Sequence, residues 1–146
     1  MYEGKLIMAR TTFNGPVTSQ NAFIEGHQVT SANAINATAT ATAAQVATGY
    51  ITSTSATTTT ITLPTGTALG TQLGAVKGTC FDLYVDNTDG ASTVTIAVNT
   101  NAVLSSAAVD TAASFGDLTI ASGVTGLARF TLMFSSATAY AFTRTA

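Results

Sequence analysis

An all-β fold is what this sequence predicts: an antiparallel sandwich or jelly-roll-like domain of about eight short strands with one short helix, behind an extended N-terminal arm. Three observations carry that expectation. From Ser31 onward, polar and apolar residues alternate with period two over short segments, and threonine, a β-branched residue that packs on a pleated surface, is the commonest residue. Gly, Pro, Asn and Asp recur between these segments at short intervals, as turn residues do. Single-face alternation rather than continuous apolar runs points to sheets solvated on one side, which favours antiparallel pairing.

The first thirty residues read differently. Residues 1–30 hold Glu3, Lys5, Arg10, Glu25 and His27, two turn-like stretches (Asn14-Gly15-Pro16 and Glu25-Gly26-His27), and large apolar side chains without sustained helical period. We expect an arm over 1–30 and a β-rich domain over 31–146, with Tyr2, Leu6, Ile7, Phe13, Phe23 and Ile24 docking on a neighbouring surface. Asn36 to Thr42 then alternates strictly, and Ala43 to Ala47 fits a single helical turn. Tyr50 to Thr54 and Thr57 to Leu63 read as strands, the second ended by Pro64. Leu69 and Leu73, four apart among Gly66, Gly70 and Gly74, predict one brief helix. Phe81 to Asp86, the turn residues Asn87-Thr88-Asp89-Gly90, and Ser92 to Val98 predict a hairpin. Leu118 to Ile120 is a further strand, and Arg129 to Phe134 with Ala139 to Arg144 predicts a closing hairpin.

Composition narrows the function. Thr, Ala, Gly and Ser number 30, 26, 12 and 11, so small or hydroxylated residues fill 79 of 146 positions. Only 8 % of residues are charged while 46 % are hydrophobic, which excludes a disordered polyelectrolyte or a charged coiled coil. The net charge of −2, with Lys5, Arg10, Lys77, Arg129 and Arg144 scattered, provides no stripe able to neutralise phosphates, so we expect no nucleic-acid partner. The apolar run at Leu6-Ile7-Met8-Ala9 is too short for the core of a signal peptide, and no window approaches a bilayer span, so we expect a soluble protein without a membrane partner.

Few residues offer chemistry. His27 is the sole histidine, and alone it builds neither a metal site nor a catalytic triad; no Gly-x-Ser-x-Gly elbow surrounds any serine. Asp86-Asn87-Thr88-Asp89-Gly90 begins like a calcium loop but misplaces the later oxygens, so a turn is the simpler expectation. Cys80, the single cysteine, lies between Thr79 and Phe81 and is expected to be a small buried hydrophobe. The spacing of Gly66, Gly70 and Gly74 lacks the Lys-Ser/Thr of a phosphate loop and reads as close helix packing. Asn36-Ala37-Thr38 fits the glycosylation pattern, a chance match in a chain this rich in threonine. Phe81, Tyr84, Phe130, Phe134, Tyr140 and Phe142 are expected in the core, with an exposed aromatic platform for sugars as the alternative. We expect no catalytic residues, no cofactor and no metal.

Four stretches, Ala39 to Ile51, Thr60 to Gly70, Gly78 to Asn87 and Gly126 to Tyr140, resemble auxiliary capsid proteins of tailed bacteriophages, in order across residues 37 to 144. The resemblance implies a decoration, cement or head-fibre protein: a β-rich homotrimer made in the host cytoplasm and seated on the outer face of the virion, with the major capsid protein as partner. It brings no catalytic residues. It also implies that the arm carrying Tyr2, Leu6, Ile7, Phe13, Phe23 and Ile24 contacts the capsid or adjacent subunits. The alternative is a carbohydrate- or receptor-binding module of a phage fibre.

Overall fold

In the computed structural model, residues 33–104 and 118–146 are described. The elements are β1 (Ala39–Thr40), α1 (Ala43–Ala47), β2 (Tyr50–Thr52), β3 (Thr59–Thr62), α2 (Gly66–Leu73), β4 (Cys80–Asp86), β5 (Val94–Ala97), β6 (Ala102–Leu104), β7 (Thr119–Ile120), β8 (Leu127–Ser136) and β9 (Ala139–Arg144). They form a four-stranded sheet in the order β1-β3-β5-β7 and a five-stranded sheet in the order β2-β4-β8-β9-β6. Up to β8, each strand along the chain belongs to the sheet opposite that of its predecessor.

That alternation explains why the sheets are mixed and not antiparallel as the sequence pattern suggested. Neighbours within a sheet are two strands apart in the chain at β1-β3, β3-β5, β2-β4 and β5-β7, and the first three of these pairs run parallel. The pairs β4-β8, β8-β9 and β5-β7 are antiparallel, and β6-β9 is parallel. Period-two alternation reports that one face of a strand is solvated; it carries no information about strand direction.

The expected hairpin across Asn87-Gly90 is therefore corrected: β4 lies in the five-stranded sheet and β5 in the four-stranded one. Asn87 is the reason. Its fully buried carboxamide donates from Nδ2 to the carbonyls of Ser92 (2.9 Å) and Ala121 (3.0 Å), while its backbone N donates to Gly126 O at 2.7 Å. The turn folds over this side chain: a Cβ on Gly90 would stand 2.0 Å from Asn87 Oδ1, and one on Gly126 would stand 2.7 Å from the Asn87 carbonyl oxygen. The closing hairpin, in contrast, forms as expected between β8 and β9, turning at Ala137 and Thr138.

Both helical segments are present and both are capped by threonine. Thr42 and Gln45 form a reciprocal capping box on α1, with Gln45 N donating to Thr42 Oγ1 at 3.1 Å and Thr42 N to Gln45 Oε1 at 2.9 Å. Helix α2 starts at Thr65, whose hydroxyl accepts from Ala68 N, and ends at Gly74 in the left-handed conformation that glycine adopts without strain. Gly66 and Gly70 press this helix onto the β8-β9 turn: a Cβ at Gly70 would lie 1.9 Å from the Ala137 carbonyl oxygen, and one at Gly66 would lie 2.3 Å from that of Thr138.

Inward side chains of both sheets and both helices share one core. Ile61, Val94, Ile96 and Ile120 come from the four-stranded sheet, Ile51, Leu83, Val85, Phe130, Leu132, Phe134, Tyr140 and Phe142 from the five-stranded one, and Val46 and Leu69 from the helices. Phe130 meets Phe142 edge-on at 6.4 Å, and Phe134 meets Tyr140 at 5.3 Å. The buried Tyr140 hydroxyl donates to Pro64 O at 2.7 Å, joining β9 to the segment before α2.

Candidate functional site

Alternation along the five-stranded sheet sends a second set of side chains outward. By register these stand in rows across the strands: Thr52, Asp86 and Leu127; Tyr50, Tyr84 and Arg129; Asp82, Thr131 and Thr143; Cys80, Met133 and Ala141. The corresponding face of the four-stranded sheet is a threonine array, with Thr40 opposite Thr62, Thr60 opposite Thr95 and Thr95 opposite Thr119. The outer surface of the five-stranded sheet thus holds the aromatic, charged and large apolar groups. The other face holds hydroxyls and methyls.

Hydrogen bonds fix the charged groups on that face. The Tyr50 hydroxyl donates to Asp86 Oδ2, and Asp86 Oδ1 accepts from Thr88 N (2.9 Å) and Thr88 Oγ1 (2.6 Å). Thr131 Oγ1 donates to Asp82 Oδ1 at 2.6 Å, and Arg129 Nε donates to Thr145 Oγ1 at 3.1 Å. Partial burial pushes the Asp86 carboxyl up, but the hydrogen bonds from Thr88 and Tyr50 outweigh it and hold the group below its ordinary value. The hydrogen bond to Asp86, reinforced by burial, pushes the Tyr50 phenol up to about 12. Neither partner changes protonation near neutral pH, so the pair holds the surface together and is poorly matched to general acid-base work.

The structure sorts the other sequence candidates. Tyr2, Leu6, Ile7, Phe13, Phe23, Ile24 and His27 lie outside the described residues. Cys80 is exposed, not buried: it shares the outward parity of Asp82 and Tyr84, and only weak sulfur contact with Gly78 O at 3.7 Å engages it. Both Asp86 oxygens are occupied by neighbouring donors and the Asn87 amide is turned inward, so the stretch from Asp86 to Gly90 is a corner. Among the described residues no group of three or more His, Cys, Asp or Glu comes together. Asn36 uses its side-chain oxygen to accept from Thr54 N at 2.8 Å. Phe130, Phe134, Tyr140 and Phe142 are core residues and Phe81 packs partly against them, whereas Tyr84 faces outward beside Tyr50.

Tyr50 was not singled out from the sequence. Its signal was available in the shared parity of Tyr50 and Thr52 about Ile51, but parallel pairing with β4 was needed to place it beside Tyr84. No family model, curated protein or solved structure matches the chain.

Proposed function

We propose that this chain is a structural virion protein that binds the outer surface of a tailed-phage capsid and decorates or stabilises it as a homotrimer. The observation that carries the reading is a β-rich body poor in charge, in which the two carboxylates on the outer face of the five-stranded sheet are engaged by neighbouring hydroxyls. Asp82 and Asp86 are both held in this way, and the four-stranded sheet offers threonines alone or beside alanine. Such a surface packs against protein neighbours with little charge desolvation. The resemblance of residues 37 to 144 to auxiliary capsid proteins supports the same reading. In it, the two sheets face each other as a jelly-roll-like sandwich, the body forms the trimeric knob, and the arm reaches the major capsid protein or an adjacent subunit.

Removing residues 1–24 tests this reading on heads of the virus that encodes the chain. The truncated protein is expected to keep its β-sheet circular dichroism and to lose capsid occupancy; full occupancy would contradict the reading.

One observation favours a second reading, a carbohydrate-binding module: Tyr50 and Tyr84 stand side by side on one face, with Asp82, Asp86 and Arg129 around them. Aromatic rings flanked by hydrogen-bonding groups suit a sugar ring. A glycan array decides here, since binding lost in Tyr84→Ala would favour this second reading.

A further inference from the structure

Five polar residues are buried among those described: Asn33, Ser53, Ser55, Thr59 and Asn87. Three of them find side-chain partners within the chain. Asn33 Nδ2 donates to Thr48 Oγ1 at 3.1 Å, Ser55 Oγ to Thr57 O at 2.8 Å, and Thr59 Oγ1 to that same carbonyl at 3.1 Å. Ser53 Oγ and Asn87 Oδ1 have no hydrogen-bond partner among the described residues. A hydroxyl or amide oxygen taken out of water without a partner is costly, so buried polar atoms are paired with protein groups or with ordered water.

The two unpaired atoms belong to neighbouring residues. Ser53 N donates to Asp86 O at 2.8 Å, which carries the parallel ladder one step past the Thr52-Asp86 pair and sets Ser53 beside Asn87. Ser53 shares the inward parity of Ile51, and Asn87 that of Val85, so on strands ~4.8 Å apart both side chains enter the interior from the same face. Asn87 Nδ2 is turned to the carbonyls of Ser92 and Ala121, which leaves Oδ1 on the other arm of the amide. The corner then folds over the pair. Gly90 N donates to Asn87 O at 3.1 Å, Ala91 N donates to Ser55 O at 3.0 Å, and a Cβ at Gly90 would overlap Asn87 Oδ1. Ser53 is left 1 % exposed and Asn87 0 % exposed, shut away from bulk solvent.

We propose that a single internal water molecule bridges Ser53 Oγ and Asn87 Oδ1 and is a fixed part of this corner. An amide oxygen only accepts, so the water donates to Asn87 Oδ1 and takes the proton of the Ser53 hydroxyl in its own hydrogen bond. Two polar partners in a closed polar site meet what a buried water requires. A metal ion is a poor fit, because none of the five buried polar residues carries charge and the Asn87 amide holds its own N–H protons beside the oxygen. The water ties β2 to β4 beyond their last paired residues, at the point where the chain crosses from the five-stranded to the four-stranded sheet. The site lies inside the body and is independent of what the surface binds.

Oxygen-17 relaxation dispersion counts water molecules held inside a protein for longer than it tumbles, and it does not respond to exchanging hydroxyl protons. Ser53→Val replaces the hydroxyl with methyl groups and removes the water's donor. The full-length variant is expected to show a dispersion amplitude lower than that of the wild type by one water molecule per chain, with circular dichroism showing that it is folded. An amplitude equal to that of the wild type would overturn the proposal. A high-resolution crystal structure of the wild type decides the matter whether or not the variant folds. A water oxygen within hydrogen-bond distance of both Ser53 Oγ and Asn87 Oδ1 is expected there. A direct Ser53-Asn87 hydrogen bond, a dry contact, or a metal ion held at ~2.3–2.6 Å would overturn it.

Discussion

Asn87 shows how a single side chain decides connectivity. Its position in an Asn-Thr-Asp-Gly run is the local signature of a two-strand turn, yet its amide reaches inward to the carbonyls of Ser92 and Ala121 and sends the chain to the other sheet. Replacing it by alanine removes the donor that these part-buried carbonyls share and empties a fully buried side-chain position, so Asn87→Ala is expected to lower unfolding stability by about 1–3 kcal/mol in urea titration. Tyr50 and Asp86 set the pH response of the surface. With the Tyr50 phenol raised to about 12, its contribution is complete below the ordinary phenol range and is lost as pH rises through 12. For Asp86, lowered in the folded state, the contribution is present above the ordinary carboxyl value and is lost as pH falls through the folded one. Tyrosinate absorbance is expected to show a transition near 12 that Tyr50→Phe abolishes, and a curve unchanged by that substitution would dissociate Tyr50 from Asp86. Cys80 carries the opposite lesson: an apolar neighbour, Phe81, suggested burial, but adjacent residues of a strand face opposite ways, so the neighbour's burial predicted the thiol's exposure.

Among the elements, those with local causes were legible. The alanine-rich stretch Ala43 to Ala47 marked α1, the four-residue spacing of Leu69 and Leu73 marked α2, and strict alternation marked β4, β8 and β9 to within a residue or two. Strand β6 (Ala102–Leu104) was not legible, because three residues hold too little alternation and its pairing with β9 is set by the fold around it. Strand β1 shrank from an expected seven-residue strand to Ala39–Thr40, since Ala and Thr accept either face and only two residues find partners on β3. The four-residue glycine spacing in α2 has its cause in the close approach to the β8-β9 turn. Alanine at position 70 would improve helix propensity by about 1 kcal/mol, but its Cβ would meet the Ala137 carbonyl at 1.9 Å. The clash wins: Gly70→Ala is expected to destabilise by about 1–3 kcal/mol, read as a lower urea midpoint at unchanged slope.

For the whole molecule, the β-rich class followed from composition and period, whereas the two-sheet weave did not. Parallel neighbours arise because the chain changes sheets at nearly every strand, a long-range property that alternation within a strand does not encode. The candidate surface was half legible for the same reason: Tyr84 was recognised as a possible platform residue, and its partner Tyr50 emerged only with the parallel register. A low-charge body with Asp82 and Asp86 engaged by hydroxyls is suited to packing against copies of itself and against a capsid, which makes assembly the central claim. Light scattering after size exclusion of the purified full-length protein tests it most directly. A stable particle of about three times 14.7 kDa is the predicted result, and a monomer at all accessible concentrations would contradict the account.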